Sequence, residues 1–199
     1  IFYNAFNRWI IFFLFIGLLL KKIIDKFFSW KILLENRSNG LFIFSWIKGI
    51  ILFFHGNKGN LIRWGEITSY FTQFNYDVFV IDYRGYGKST GSFDEEQMYN
   101  DALLSYNYVK SKFNEEQIVV YGRSLGTTFA SKVGAENKPK HIILEAPFFS
   151  LHNAANYKYK IVPKFLLSFK FRTNDLVQKI SSPTTIFHGT NDRVTPYKG

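Results

Sequence analysis

A chain of 199 residues is long enough for one globular domain, and its ordinary Gly and Pro contents exclude a low-complexity protein. It contains no Cys, which excludes disulfides, thiolate metal sites and a cysteine nucleophile. The net charge of +10 is concentrated in two stretches rich in large apolar side chains, residues 21–31 and 157–172. Because no nucleic-acid-binding motif accompanies them, we expect membrane lipids rather than nucleic acid as their partner.

An apolar run near the N-terminus covers residues 9–20, with Arg8 before it and two lysines after it. A helix that spans a membrane needs about 20 residues, and this run is shorter. It reaches that length only when the polar residues before it are counted. Its interpretations are a retained anchor, a signal-peptide core and a buried helix. No small-residue cleavage site follows, so we favour a single-pass membrane anchor with a basic juxtamembrane segment in residues 1–31. The lysines favour the cytoplasmic side for the domain that follows, residues 32–199.

The domain is predicted to begin with an antiparallel hairpin over residues 32–46, because two apolar runs flank an Asn-Gly turn signal. The next apolar run, Gly49–Phe54, predicts a strand that ends in the loop His-Gly-Asn-Lys-Gly-Asn. Asn60 closes this loop and is expected to cap a helix. The predicted apolar face of that helix comprises Leu61, Trp64, Ile67, Phe71 and Phe74.

A second buried strand, predicted over residues 77–81, leads into the loop Asp-Tyr-Arg-Gly-Tyr-Gly-Lys-Ser-Thr-Gly at residues 82–91. Gly-Lys-Ser resembles the end of a phosphate-binding loop, but that motif needs a glycine where Asp82 stands, so nucleotide binding is set aside. Ser92 and Glu95 form a capping-box pattern that predicts the start of a helix. Its expected core face comprises Met98, Ala102, Tyr106, Val109 and Phe113.

The strongest functional signal is the stretch 118–126. Four apolar residues predict a buried strand, Gly-Arg-Ser-Leu-Gly follows, and residues 127–135 predict a helix. A serine on such a sharp strand-to-helix turn is exposed above the sheet, and the flanking glycines let strand and helix cross closely. This context favours Ser124 as an active nucleophile over a purely structural turn.

Two further strands are predicted, residues 141–144 followed by Glu145 and Thr184–Phe187 followed by a loop that ends at Asp192. Short apolar runs separated by helices predict an α/β domain with a mostly parallel sheet covered on both faces. An acid in a strand-end loop C-terminal to the serine suits the order nucleophile, acid, histidine. Asp192 is therefore preferred to Glu145 as the acid that orients a histidine.

Acyl transfer also needs two N–H donors aimed at the developing oxyanion. We assign them to the backbone of Leu125, after the nucleophile, and of Asn57, in the loop after the first predicted strand. The alternative for Asn57 is a turn that merely requires small residues. No histidine fits the role of base, and each is interpreted as structural: His55, His141, His152 and His188. We expect the base on a loop beyond Gly199, after one more strand, and a natural protein that also begins before the present first residue.

Five motifs in this order resemble the α/β-hydrolase superfamily, at residues 55–60, 82–89, 121–126, 145–147 and 188–192. More narrowly, they resemble its membrane-anchored serine hydrolases related to protein depalmitoylases and serine aminopeptidase-like hydrolases. The resemblance covers about residues 32–199 and implies the α/β-hydrolase fold, truncated before its last strand. It implies Ser124 as nucleophile and Asp192 as acid. The backbones of Asn57 and Leu125 would line the oxyanion hole, and no cofactor or metal ion is implied.

These expectations describe a serine hydrolase that forms an acyl-enzyme on an ester, thioester or amide, with lipids and acyl-proteins among the candidate substrates. The alternative is a non-catalytic α/β-hydrolase-like binding or scaffold protein at a membrane. An intact elbow with its acid and oxyanion loop favours the enzyme. The stretch 157–172, between the last two predicted strands, is interpreted either as a lid at an anionic interface or as an ordinary helix packed on the sheet.

Overall fold

The computed structural model describes residues 47–160, 162–163, 165, 167–195 and 197. The predicted anchor, the predicted hairpin and the boundary between residues 1–31 and 32–199 lie outside this part of the chain. Within it, no helix has the length and apolar character needed to cross a membrane.

Five parallel strands form one sheet: β1 Gly49–Phe54, β2 Tyr76–Val80, β3 Ile118–Arg123, β4 His141–Glu145 and β5 Thr184–Phe187. Their spatial order is β2–β1–β3–β4–β5. The chain therefore moves outward from β1 to β2, crosses back, and continues on the other side of β1. In sheets of this kind, ligands bind at the carboxyl ends of the strands where the order reverses, here between β1 and β3.

The five strands predicted within the described residues are confirmed in position. β1 and β5 have the predicted bounds, and the other three differ by at most two residues. Alternation along β1 divides the core into two layers, with Ile50, Leu52 and Phe54 on one face and Ile51 and Phe53 on the other. The strand is buried along its whole length because helices cover both faces, as a parallel sheet requires. β2 is the outermost of the described strands on its side, and it is only half-buried, not fully buried as expected.

Five α-helices connect these strands: α1 Leu61–Thr68, α2 Glu95–Lys110, α3 Leu125–Glu136, α4 Leu151–Tyr159 and α5 Thr173–Val177. Short 3₁₀ helices follow α1, at Ser69–Phe74, and precede β3, at Glu115–Gln117. Side chains of α2 and α3 belong to the larger apolar layer, whereas Trp64 of α1 belongs to the smaller one on the opposite face. Helices on both faces of a parallel sheet are the predicted architecture.

The predicted cap of α1 is confirmed, because Asn60 Oδ1 accepts hydrogen bonds from the N–H groups of Ile62 and Arg63 at 3.1 and 3.4 Å. Its predicted apolar face is partly wrong, since Ile67 and Phe74 are 39% and 46% exposed. The buried stripe passes through Trp64 and Thr68 instead. After Thr68 the chain tightens into a 3₁₀ helix, whose shorter period rotates the later positions out of the 3.6-residue stripe.

The predicted capping box of α2 is wrong. Asp94 caps the helix by accepting from the N–H of Gln97 at 2.8 Å. The Glu95 carboxylate instead accepts from the backbone N–H groups of Lys170 and Phe171, at 2.6 and 3.0 Å. This tertiary contact engages Glu95 and removes it from local capping. The predicted core face is confirmed for the four positions within the helix, Met98, Ala102, Tyr106 and Val109.

The start of α3 lies against the end of β1 with no space for a side chain. A Cβ at Gly126 would overlap the carbonyl oxygen of Phe54, and one at Gly122 would overlap the backbone of Gly126. Backbone atoms on both sides cannot yield as a flexible side chain would. These two glycines therefore set the crossing of β3 and α3.

We expect Gly126→Ala to lower the free energy of unfolding by about 3 kcal/mol or more, as overpacking against backbone does. Gly65→Ala is the matched control, because its Cβ would meet nothing within 4 Å in the middle of α1. That control should stabilise the protein by about 0.5–1 kcal/mol. Urea unfolding followed by circular dichroism measures both, and equal stability of the two variants would contradict the close approach.

Candidate active site

Ser124 occupies the turn between β3 and α3 in a backbone conformation that residues with a Cβ rarely adopt, φ 50° and ψ −115°. Such a conformation costs about 1–3 kcal/mol and persists only where its surroundings impose it. Here the Ser124 N–H donates to the carbonyl of Glu145 at 2.8 Å. The Ser124 carbonyl accepts from the N–H and the Oγ1 of Thr127, at 2.9 and 2.6 Å. The turn is thus held from β4 on one side and from α3 on the other.

The loop after β1 lies directly beside this turn. A Cβ placed on Gly56 would be 3.6 Å from Ser124 Cβ and 3.5 Å from the carbonyl oxygen of Arg123. Leu125 is the first residue of α3, where backbone N–H groups lack intrahelical partners and carry the positive end of the helix dipole. The two predicted oxyanion donors, Asn57 and Leu125, therefore lie on elements that meet at Ser124.

Asp192 lies in the loop after β5, where hydrogen bonds fix its carboxylate. Oδ1 accepts from the N–H groups of Val194 and Thr195 at 2.7 and 2.9 Å, and Oδ2 accepts from Thr195 Oγ1 at 2.8 Å. Burial alone would raise the pKa of Asp192, but the bonds from Thr195 and Val194 outweigh it and hold the pKa below its ordinary value. The carboxylate is therefore anionic at neutral pH.

An open pocket of about 390 Å³ lies at the carboxyl ends of β3, β4 and β5. Arg123, Glu145, Phe187 and Asp192 all line it, so the residue next to Ser124 and the predicted acid share one cavity. Hydrogen bonds between β4 and β5 extend to the residues that line this pocket. The Ala146 N–H donates to the Phe187 carbonyl at 2.7 Å. The sheet thus brings the predicted nucleophile and acid to the same edge.

Glu145, the alternative acid, is engaged by side chains of β3. Its Oε2 accepts from the Tyr121 hydroxyl at 2.9 Å, and its Oε1 lies 3.4 Å from Arg123 Nε. These contacts support the structural interpretation given to Glu145. The choice of Asp192 as the acid stays a prediction.

Each of the four histidines has a partner other than Ser124. The His55 Nδ1 donates to the carbonyl of Gly56 at 2.8 Å, and the ring is fully buried. His141 contacts Thr185 at the amino end of β4, His152 contacts the Val162 carbonyl from α4, and His188 contacts the Thr195 carbonyl, each at 2.8 or 2.9 Å. These positions support the structural interpretation of all four.

Sequence reasoning missed the residues that support the site. Thr195 holds Asp192 with two bonds, and the Asp-x-x-Thr spacing of an Asx turn was an available signal. The tyrosines of the loop after β2 were also missed. Tyr83 and Tyr86 donate to the His55 carbonyl and to Asn57 Oδ1, across 28 and 29 residues of sequence. No local pattern reports contacts over that separation.

The chain is similar in sequence to known hydrolase families. The family model for serine aminopeptidase, S33, matches residues 46–171. Lysophosphatidylserine lipase ABHD12 of Danio rerio is 30% identical over 172 residues, which cover 75% of this chain and 44% of that protein. Alpha/beta hydrolase domain-containing protein 17B of Xenopus laevis is 30% identical over 156 residues, 75% of this chain and 52% of that protein. The chain thus spans about half the length of the curated relatives it matches.

Two solved structures share the fold. The esterase Pf2001 of Pyrococcus furiosus matches with a TM-score of 0.62 at 20% identity, over 77% of this chain and 66% of that one. A soluble variant of monoglyceride lipase from Saccharomyces cerevisiae matches with a TM-score of 0.52 at 18% identity, over 75% and 70%. At these identities the likeness concerns the fold alone.

The lowered pKa of Asp192 predicts a pH-dependent contribution to stability. Asp192→Asn should lower the free energy of unfolding at pH 7, because the charged acceptor of three hydrogen bonds is lost. The excess free energy of unfolding of the wild type over Asp192→Asn should be complete above the unfolded-state pKa of about 3.9. This difference should vanish as the pH falls through the lower folded-state pKa of Asp192.

Urea unfolding of both proteins from about pH 2 to pH 7 measures this difference. Thr195→Val is the companion variant, since it removes one donor to Asp192 and should move the loss of the difference to higher pH. A difference between wild type and Asp192→Asn that does not change with pH would contradict the assignment.

Proposed function

This chain belongs to the serine aminopeptidase S33 family of the α/β-hydrolase superfamily, and from that premise we propose that it is a serine hydrolase that cleaves acyl esters of lipids. Membership confirms the predicted superfamily, and the hydrolase fold confirms the predicted fold class. The lipid ester is proposed because the relatives include proteins named as a lysophosphatidylserine lipase. Since the chain spans less than half of that relative, activity and substrate are proposed for the whole protein.

The observation that carries the proposal is the strained backbone of Ser124 between β3 and α3. A turn with only a structural role would be relieved by glycine, which adopts positive φ without strain. A serine there incurs a conformational penalty that a glycine would avoid. A catalytic role explains why the position holds serine. A turn of this kind presents the serine hydroxyl between β1 and β3, where the strand order of the sheet reverses.

In the proposed first step, Ser124 Oγ attacks the acyl carbonyl and transfers its proton to a histidine base. The N–H groups of Leu125 and Asn57 donate to the oxyanion that forms. The tetrahedral intermediate then breaks the ester bond, and the leaving alcohol takes the proton from the base. Water repeats the sequence on the acyl-enzyme, which releases the fatty acid and regenerates Ser124.

Asp192 is proposed to orient that base and to stabilise the imidazolium. Its anionic carboxylate, held by Thr195 and Val194, is suited to the role. All four histidines of the sequence have other partners, so the proposal assigns the base to a histidine outside it. The pocket lined by Asp192 and by Arg123, the residue before Ser124, is the space proposed for that ring.

We further propose that residues 157–172 contact an anionic lipid surface. Phe165, Tyr159 and Tyr157 are 85%, 66% and 51% exposed, although large aromatic side chains are usually buried. The exposed cations in the described part of this segment are Lys158, Lys160, Lys170 and Arg172. Exposed rings interleaved with cations are the composition that binds at a lipid headgroup boundary. With the anchor proposed in residues 1–31, this surface would hold the site against its substrate at a membrane.

Ser124→Ala should abolish labelling of the full-length protein by a fluorophosphonate probe and hydrolysis of a short-chain p-nitrophenyl ester. Ser131→Ala is the control, because Ser131 is a buried serine of α3 whose hydroxyl has no hydrogen-bond partner among the described residues, and it should label like the wild type. The experiment also separates the enzyme from the binding or scaffold alternative, which predicts no labelling of the wild type. Full labelling of Ser124→Ala would overturn the assignment.

Replacing both Lys158 and Lys160 by Glu should weaken binding to vesicles containing phosphatidylserine. Each lysine near such a surface contributes about 1 kcal/mol, so affinity should fall by more than about tenfold. The matched control replaces Lys138 and Lys140, which are exposed at the opposite edge of the sheet, before β4. Vesicle co-sedimentation measures the affinities, and equal losses for the two pairs would exclude residues 157–172 as the contact.

A further inference from the structure

Two loops at the carboxyl edge of the sheet are joined by hydrogen bonds from two tyrosines of one loop. Residues 55–59, after β1, form the oxyanion loop, and residues 82–87, after β2, form what is here named the brace loop. The Tyr83 hydroxyl donates to the His55 carbonyl at 2.7 Å, and the Tyr86 hydroxyl donates to Asn57 Oδ1 at 2.6 Å. We propose that the brace loop positions the Asn57 N–H for transition-state stabilisation, with Tyr83 and Tyr86 as positioning residues.

Beyond Gly56, the oxyanion loop is held to α1 at Lys58, whose carbonyl accepts from Trp64 Nε1 at 3.1 Å. Asn57, Lys58 and Gly59 are exposed, and Lys58 adopts a positive φ of 72°. Asn57 Oδ1 accepts from the Lys58 N–H at 3.0 Å, a bond within the same loop that cannot fix the loop against the sheet. The Tyr86 hydroxyl is the second donor to that oxygen, and it comes from another element. It therefore ties Asn57 to the rest of the fold.

The brace loop is itself tightly held. The Tyr86 N–H donates to the Tyr83 carbonyl at 2.8 Å, and Ser89 Oγ donates to the Asp82 carbonyl at 2.7 Å. Gly87 has a φ of 53°, and a Cβ there would overlap the Asp82 carboxylate, so the turn closes on that side chain. Because the brace loop is fixed by its own turns, it holds a constant position relative to β2. It can therefore fix the position of the oxyanion loop beside it.

A third contact lies beneath the two loops. His55 Nε2 lies 3.5 Å from Asp82 Oδ1, both side chains are buried, and neither atom has another hydrogen-bond partner among the described residues. Nδ1 donates to the Gly56 carbonyl, and burial lowers the pKa of the His55 imidazole below its ordinary value. Tyr83 packs on the His55 ring at a centroid distance of 4.3 Å. His55 is thus enclosed by the brace loop on its carbonyl, ring and Nε2 sides.

The donors keep their protons over the pH range of hydrolysis assays. Burial raises the pKa of the Tyr83 phenol well above its ordinary value, and burial also raises the pKa of the Tyr86 phenol. Both hydroxyls therefore donate throughout neutral and mildly alkaline pH.

This inference rests on the proposed function, because a positioned N–H matters only when an oxyanion forms. An oxyanion donor acts on charge that develops in the transition state and contributes little to ground-state binding. Displacing it should therefore lower kcat and leave KM unchanged. Because partial unfolding would also lower the apparent kcat, rates are expressed per active site titrated with the fluorophosphonate probe.

The test uses the full-length protein with Tyr86→Phe and Tyr83→Phe, each of which deletes one hydroxyl and keeps the ring. Tyr106→Phe is the matched control, because its hydroxyl donates to Glu115 at 2.7 Å from a fully buried ring at the other end of the sheet. On a short-chain p-nitrophenyl ester, we expect kcat to fall about tenfold to a hundredfold in the two brace variants. KM should stay the same, and Tyr106→Phe should keep the wild-type kcat.

Affinity for a trifluoromethyl ketone, whose adduct places an oxyanion in the same site, should fall by a similar factor in the two brace variants. If Tyr83→Phe does not fold, Tyr86→Phe, which is partly exposed, still decides the question. Wild-type kcat in Tyr86→Phe, together with an inactive Ser124→Ala, would overturn the brace and leave the proposed function standing. An equal fall of kcat in Tyr106→Phe would also overturn it, whereas an active Ser124→Ala would instead overturn the proposed function.

Discussion

The structure depends on one close approach, between the first turn of α3 and the carboxyl end of β1. No Cβ fits at Gly126 or Gly122, so strand, turn and helix are locked into a single crossing. That crossing imposes the positive φ of Ser124 and directs the first N–H groups of α3 toward the switch point of the sheet. The conformational strain at Ser124 is offset by the backbone contacts that form when β1, β3 and α3 pack together.

From this crossing, the site is assembled outward along the sheet edge in two directions. Toward β4 and β5, backbone bonds from Ser124 to Glu145 and from Ala146 to Phe187 lead to the loop that carries Asp192. Toward β1 and β2, the oxyanion loop is followed by the loop of Tyr83 and Tyr86. Parallel strands bring all these loops to one edge because every strand ends there. The chemistry is therefore divided among loops, while the positions of the loops are set by the sheet.

The segment between β4 and β5 combines an anchored end with exposed side chains. Glu95 accepts from two backbone N–H groups at its return, and Phe169 and Phe171 join an aromatic cluster with Phe93 there. The preceding part presents Tyr159 and Phe165 to solvent. A segment fixed at one end, with exposed aromatic side chains before that end, is suited to the lipid contact proposed above. The same contact explains why the capping box predicted at Ser92 does not form. The Glu95 carboxylate accepts hydrogen bonds from the distant backbone of Lys170 and Phe171 instead.

Short-range rules were enough to predict the five described strands, the sheet class and the serine turn. Apolar runs bounded by loops located these strands, and glycines at a fixed spacing marked the turn at Ser124. The buried face of α1, the cap of α2 and the contacts that hold Asn57 and Asp192 in place depend on long-range packing. Tyr86 reaches Asn57 across 29 residues of sequence, and Glu95 reaches Phe171 across 76. Such contacts depend on the packing of whole elements, and no periodicity or spacing in the sequence encodes which side chains meet when those elements pack.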